Sequence, residues 1–313
     1  MKSELQKHFD VFIQHKQYTV MLSPATIKSY NEVWKHFTTQ MPEVTKISDL
    51  SPEVVSEFFE RLQRRQRLVG RVMKRTGIKA STVNTYGRKL KCFFDWLVVK
   101  EVLERNPVQL GDLPKPVYDD ERALKRSQIE KIIMSVMQNS KNTFIKQRDL
   151  AMINVLLFCG LRRGELLGLK VTDIDFNQGL LRVDGRTSKS KVTRFVPLNR
   201  VVLQSLDEYM AARKQRKSQC EYLWVSEIKD TAFTVDGLKH WVKRIRDWSG
   251  VRFHVHQFRH SFATALARDK NNIVFIQKLL GHQDARMTQV YLRSMGVEDM
   301  RSPIDSLSLA SYR

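Results

Sequence analysis

The sequence predicts a mainly α chain of two domains, an all-helical first domain and an α-rich second domain with a small antiparallel β-sheet. Three observations support this. Apolar residues recur at three- and four-residue spacing through residues 3–105, the period of a helix with one buried face. Prolines then gather at Pro107, Pro114 and Pro116, and proline disfavours helix at itself and at the residue before it. Strand chemistry is confined to residues 171–198. The expected boundaries are a helical domain at 1–110, an extended linker at 111–122 and a second domain at 123–313. A length of 313 residues suits two domains, at about 100–200 residues each.

In the first domain, Ser23-Pro24 and Ser51-Pro52 each set a capping hydroxyl before a proline at the first helical position. Ile27, Tyr30, Val33, Trp34 and Phe37 follow the first pair, and Val54, Val55, Phe58, Phe59 and Leu62 follow the second. A further helix starts near Ser81 and turns Val83, Tyr86, Leu90, Phe93, Phe94 and Leu97 to the core. Its other face carries Arg88, Lys89 and Lys91. Between the last two helices a run from Arg61 through Arg64, Arg65, Arg67, Arg71, Lys74, Arg75 and Lys79 contains no acidic residue. Such a run alone is usually a solvated loop. Beside a second basic face it reads as a phosphate-contacting surface, one that positions a duplex without reading its sequence.

Charge agrees with that reading. Lys and Arg number 54 against 33 Asp and Glu, a net charge of +21. Such an excess favours a polyanionic partner, because neutralising phosphates releases condensed counterions. A hydrophobic content of 42% supplies ordinary globular cores and argues against disorder. No apolar run approaches the roughly 20 residues that span a bilayer, and the N-terminus lacks an apolar signal core. A soluble, cytoplasmic protein is expected. Cys92, Cys159 and Cys220 have no metal-type pairing, and the first two lie in apolar helical stretches as reduced thiols.

Helix resumes at Ser127, with Ser127 and Glu130 as a capping box. The apolar run from Leu150 to Phe158 leads into Cys159-Gly160-Leu161-Arg162-Arg163-Gly164-Glu165. Gly160 stops one helix and Arg162 opens the next. A charge wedged between apolar segments needs a partner or a function, and Glu165, three residues on, is the ordinary partner. Ile174 to Phe176, Leu180 to Val183 and Arg194 to Leu198 read as strands, with Asn177-Gln178-Gly179 a turn. Gly185 to Val192 forms the next hairpin, with Lys189 near its tip. Residues 199–250, with helices through Leu203, Leu206, Tyr209 and Met210 and near Trp241, serve as scaffold and phosphate-facing charge.

The chemistry concentrates at residues 254–293. His256 and Arg259 are spaced to share a helix face. Leu279-Leu280-Gly281-His282 follows, and then Tyr291. Ala263, Leu266, Ala267, Val274, Ile276, Leu279 and Leu280 supply the apolar stripe opposite. Gly281 is a helix stop and Asp284 a cap for a last helix. A lone histidine or tyrosine on a helix is usually a satisfied half-buried residue; the full ordered set is more specific.

Residues 150–198 and 254–293 resemble the tyrosine recombinases, the family of phage integrases and Xer-type resolvases. The resemblance rests on Gly160-Leu161-Arg162 with Glu165-Leu166, on Val196-Pro197-Leu198, on His256-x-x-Arg259-His260, on Leu279-Leu280-Gly281-His282 and on Tyr291. Residues 87–97 are similar to the family's core-binding domain. The resemblance implies that 1–110 is a helical, SAM-like core-binding domain, that 123–313 is the catalytic domain with a short tail, and that the two form a clamp around DNA. It implies catalytic roles for Arg162, Lys189, His256, Arg259, His282 and Tyr291, with Glu165 in support. Tyr291 would be the nucleophile, forming a 3′-phosphotyrosine link. Arg162 and Arg259 would clamp the phosphate, and Lys189, eight residues before Pro197, would protonate the leaving oxygen. Lys191 and Arg163 remain neighbouring alternatives.

The expected partner is double-stranded DNA with inverted-repeat core sites, bound by a homotetramer built as a dimer of dimers, with accessory DNA-bending proteins as candidate partners. No membrane, metal or cofactor is expected, since neither a metal-spaced acidic cluster nor a P-loop is present. The family's larger integrases carry an arm-binding domain that this chain is expected to lack. The tail, with Val297, Met300, Ile304 and Leu307 at helical spacing, is expected to dock on a neighbouring protomer, with packing on its own lobe as the alternative. Two readings compete: a type IB topoisomerase-like DNA-relaxing enzyme and a non-catalytic DNA-binding protein. A mobile-element integrase and a Xer-like resolvase fit equally well.

Overall fold

The computed structural model describes residues 2–69, 73–109, 111, 113–114, 123–187, 191–268 and 273–281. It divides into two compact units, Met1–Tyr118 and Asp119–Arg313. In the first, helices α1 (Glu4–Gln14), α2 (Pro24–Gln40) and α3 (Pro52–Arg64) each begin at a serine. The hydroxyls of Ser3, Ser23 and Ser51 accept from the amides of Gln6, Thr26 and Val54. Each such cap stabilises its helix by about 1 kcal/mol. Helix α4 (Ala80–Val99) starts one residue before the expected Ser81.

These helices enclose an aromatic core. Phe9 stacks on Trp34 with centroids 4.4 Å apart, and Phe93 meets Phe9 edge-on at 5.2 Å. The Trp34 indole N–H donates to Gln6 Oε1 at 2.7 Å, so its polar atom is satisfied inside the core. Such ring pairs add about 0.5–1.5 kcal/mol each beyond area burial.

Between α3 and α4 the basic run carries a two-stranded ribbon that the sequence did not reveal. Strands β1 (Gln66–Val69) and β2 (Met73–Thr76) pair antiparallel, with Arg67 opposite Arg75 and Leu68 opposite Lys74. Each strand is four residues long and without clean alternation, so periodicity did not reveal it.

In the second unit, helix α5 (Arg126–Asn139) differs from expectation at its start. Lys125 is the cap residue, and its amide donates to Gln128 Oε1 at 2.9 Å. Ser127 therefore lies inside the helix, and Glu130 bonds Arg126 instead. Helix α6 (Thr143–Cys159) is largely buried, including Ala151, Ile153, Leu156 and Cys159, with Phe158 exposed. It is the axis of the unit and packs on α5, α8 (Arg200–Gln215) and α10 (Val255–Arg268).

Helix α7 (Arg163–Gly168) follows, and then a sheet of order β3-β4-β5, all antiparallel: Ile174–Asp175, Leu180–Val183 and Arg194–Pro197. Helix α9 (Val235–Ser249) packs on α5. Helix α11 (Ile273–Leu280) packs on α10 and β5. Its Ile276 and Leu280 join Phe262, Ala263 and Ala267 in a small cluster. Val274 is exposed rather than part of this stripe, because it sits two residues from Ile276 and so faces away. Arg213 of α8 is buried, not phosphate-facing, and donates to the carbonyls of Cys220, Tyr222 and Leu223. Among the described residues, no helix is long and apolar enough to cross a membrane.

The link from α6 to α7 depends on Gly160. It takes the left-handed conformation at φ +59, and a Cβ there would lie 2.3 Å from Phe262 Cδ1. Gly160→Ala should cost about 2–3 kcal/mol, combining left-handed strain with a clash against a packed ring. Urea unfolding measures this, and a loss under about 0.5 kcal/mol would show that the turn relaxes freely.

Candidate active site

Glu165 is the centre of the site. It lies in the first turn of α7 and is buried at 1% exposure. Its Oε1 accepts from Arg162 Nη1 at 2.9 Å and from Arg194 Nη1 at 3.1 Å. Its Oε2 accepts from the Arg162 amide at 2.9 Å and from Arg194 Nη2 at 2.8 Å. Arg259 Nη1 stands 3.9 Å from the same Oε2. The ordinary pairing of Arg162 with Glu165 is thus real, and it is one strand of a larger clasp.

The same three arginines close the end of α11. Arg194 Nε donates to the Leu279 carbonyl at 2.8 Å, Arg259 Nη2 to Leu280 at 2.7 Å and Arg162 Nη2 to Gly281 at 3.3 Å. The last carbonyls of a helix have no intrahelical partner and form the negative end of its dipole. Guanidinium groups there satisfy both demands. Arg259 Nη1 also takes the Gly160 carbonyl at 2.7 Å, so one side chain ties the ends of α6 and α11 together. Gly281, at φ +62, ends α11 as expected.

Burial alone would raise the Glu165 carboxyl. The hydrogen bonds and charge of Arg194, helped by the amide and guanidinium of Arg162, overcome it and hold the group at about 2. Glu165 is therefore ionised, and the clasp carries three guanidiniums to one carboxylate among the residues described. A surplus of fixed positive charge suits an anionic ligand.

His256 lies in the first turn of α10 and is exposed, while Arg259 is buried at 1%. The His256 ring meets His260 edge-on at 4.5 Å. His256, Arg162, Arg163, His254, Lys239 and Arg246 line a cleft of about 610 Å³ whose apolar wall includes Leu238 and Val242. So Arg162, Glu165 and Arg259 come together, and His256 shares a cleft with Arg162. Lys189, His282 and Tyr291 lie outside the described residues, as do Asp284 and the tail; His282 directly follows Gly281 in the chain. Lys191 is exposed with φ 53. Among the described residues, no group of three His, Cys, Asp or Glu could hold a metal ion.

Arg194 was missed from the sequence. It alternates with Val196 on the buried side of β5, and a charge at an inward strand position is the signal that could have found it.

The basic residues of the first unit are placed as follows. Arg64 is exposed and paired with Glu60, and Arg65 is exposed just past α3. Arg67, Lys74 and Arg75 lie on the β1–β2 ribbon, and Arg71 lies outside the described residues. Arg88 is exposed and bonds Asn84. Lys89 leans over the Tyr30 ring at 3.8 Å, and Lys91 bonds both oxygens of Asp95 at 2.8 Å.

Residues 122–296 match the family model described as the phage integrase family. A tyrosine recombinase of Pseudothermotoga lettingae is 29% identical over 295 residues, covering 93% of this chain and 94% of that protein. The tyrosine recombinase XerC of Serratia marcescens is 28% identical over 300 residues, covering 92% of this chain and 90% of its own. Among solved structures, the Tn1549 transposon integrase in complex with transposon right end DNA superposes with a TM-score of 0.77 at 18% identity, over 96% of this chain and 98% of that one. A lambda integrase dimer bound to a core site gives 0.70 at 19% identity, over 91% and 94%.

Because Glu165 sits near 2 in the fold against an ordinary 4.5, it stabilises the protein above about pH 4.5, and that contribution is lost as pH falls towards 2. Glu165→Gln should therefore be less stable than the parent at neutral pH, with the difference shrinking below pH 4.5. Thermal melts across about pH 3–7 test it. A pH-independent gap would mean the carboxyl is not held down.

Proposed function

The chain belongs to the phage integrase family and is a site-specific tyrosine recombinase; we propose that it cuts and rejoins double-stranded DNA through a 3′-phosphotyrosine link made by Tyr291. The phenol oxygen attacks the scissile phosphorus, the bond to the 5′ oxygen breaks, and the phosphate stays on the tyrosine until rejoining. His256 takes the phenolic proton, Lys189 gives one to the departing 5′ oxygen, and His282 donates to a non-bridging oxygen. Arg162 and Arg259 stabilise the charge that gathers on those oxygens, a role suited to a planar fork that does not deprotonate.

The single observation that carries this reading is the Glu165 clasp, which gathers Arg162 and Arg259 beside the turn that precedes His282. The ribbon supports DNA as the partner. Its register sets Arg67 level with Arg75, so two arginines share one short ribbon, and a basic ribbon favours a polyanion. A two-stranded ribbon also fits the major groove. Arg64, Arg65, Arg67, Arg71, Lys74, Arg75 and Arg88 are the proposed contacts, with Lys89 and Lys91 in the lesser part their partners leave them. On this reading Met1–Tyr118 is the core-binding domain and Asp119–Arg313 the catalytic one. Inverted-repeat sites held by a homotetramer, with the tail exchanged between protomers, complete the proposal.

The test is to incubate the protein with nicked duplexes of randomised sequence and recover DNA attached after denaturation with detergent. Wild type should yield an adduct that protease releases, and Tyr291→Phe should yield none while binding the selected duplex within about threefold. Arg162→Lys should slow adduct formation about 100-fold, the scale of one lost oxyanion donor. An adduct of undiminished yield from Tyr291→Phe would discard the mechanism.

The lysine assignment has its own test. Lys189→Ala should cleave poorly on the normal duplex but recover when sulfur replaces the 5′ bridging oxygen, since a thiolate leaves without an acid. Recovery confined to Lys191→Ala would move the role two residues along the hairpin.

A further inference from the structure

Arg194, which the sequence did not single out, bonds both Glu165 and the end of α11. It is buried at 8% exposure. Two of its nitrogens grip both oxygens of Glu165, and the third takes the Leu279 carbonyl. Its side chain also lies against Gly281, where a Cβ would stand 3.2 Å from Nη1 and 3.3 Å from Cδ. That glycine leaves room for the guanidinium and directly precedes His282 in the chain. Arg194 opens β5, three residues after Lys191 in the chain. One side chain therefore joins three segments: the start of β5, the Arg162–Glu165 turn and the end of α11.

We propose that Arg194 is a positioning residue for strand cleavage, fixing Glu165 and the end of α11 so that Arg162 and Arg259 meet the scissile phosphate in one fixed arrangement. This rests on the recombinase reading above. Without Arg194, both carboxylate oxygens of Glu165 lose a partner, and Arg162 is left to a carboxylate held chiefly by its own turn. The Leu279 carbonyl is orphaned at the same time, so the end of α11 loses one of its three caps. A displacement of about 1 Å in a catalytic group can cost about 100-fold in rate.

The role also predicts a titration. Among the described residues, groups facing Glu165 include the amide and guanidinium of Arg162 from its own turn, Arg194 from β5 and Arg259 from α10. Burial pushes the Cys159 thiol up to about 12 against the opposing charge of Arg194, out of the working range. Arg194 is the main influence that holds the carboxyl down against burial. Its removal lets Glu165 take a proton at higher pH, which releases Arg162, so cleavage should gain an acidic limb.

The experiment compares wild type, Arg194→Met and Arg194→Lys on the duplex recovered by the covalent selection. It measures dissociation constants and single-turnover adduct formation from about pH 5 to about pH 8, with folding checked by circular dichroism. Arg194→Met should bind within about threefold of wild type, form adduct about 100-fold more slowly, and show an acidic limb that wild type lacks. Arg194→Lys should restore the flat profile and part of the rate, because an ammonium keeps the charge but loses the fork. Should Arg194→Met fail to fold, Arg194→Lys decides: adduct formation at least tenfold slower with binding intact supports the role. A folded variant that matches wild type, or one whose binding and rate fall in equal proportion with no new limb, overturns it. A wild type that forms no adduct overturns the recombinase chemistry and this role with it.

Discussion

The second unit depends on one buried carboxylate. Glu165 is ionised at 1% exposure and held by Arg162 and Arg194, with Arg259 close by. An ion in such a place is costly unless every lone pair finds a donor, and here the described donors occupy both oxygens. The cost of burying the carboxylate is met by guanidiniums that are themselves satisfied by carbonyls at the ends of α6 and α11. Removing one partner would leave several others exposed to the same penalty.

This dependence explains how short segments with little packing of their own come to be fixed. Helix α7 is six residues long and α11 eight, lengths at which isolated helices are marginal. Arginines anchored on Glu165 cap α11, and the amide of Arg162 opens α7 on the same carboxylate. Both helices thus hang from the rigid axis of α6, whose last carbonyl at Gly160 receives Arg259. Rigid support of this kind is what phosphoryl chemistry needs from its charged groups.

Much of the site was legible because its residues are chemically demanding and closely spaced. Arg162 and Glu165 lie three apart, His256 and Arg259 likewise, and Gly160 and Gly281 mark the helix ends they were expected to mark. Arg194 was not legible, because its partners lie 29 and 85 residues away in the chain. The ribbon between α3 and α4 was missed for a different reason. Its strands carry charge where alternation would be expected, so pairing rather than pattern makes them strands. The capping of α5 by Gln128 instead of Glu130 is a shift of two residues that local chemistry permits either way.

The sequence alone determined the division into two α-rich units, the placement of the small sheet, the Ser23 and Ser51 caps and the family signature. All of these rest on contacts between near neighbours or on composition, and local periodicity reports them directly. Tertiary structure decided which charges meet. It turned Arg259 inward to the carbonyls of Gly160 and Leu280, left His256 exposed, drew Lys89 over Tyr30, and brought Arg194 across from β5 to Glu165. A guanidinium on a strand and a carboxylate on a helix carry no mark of each other in the chain. Only burial makes their pairing obligatory, and burial is a property of the fold.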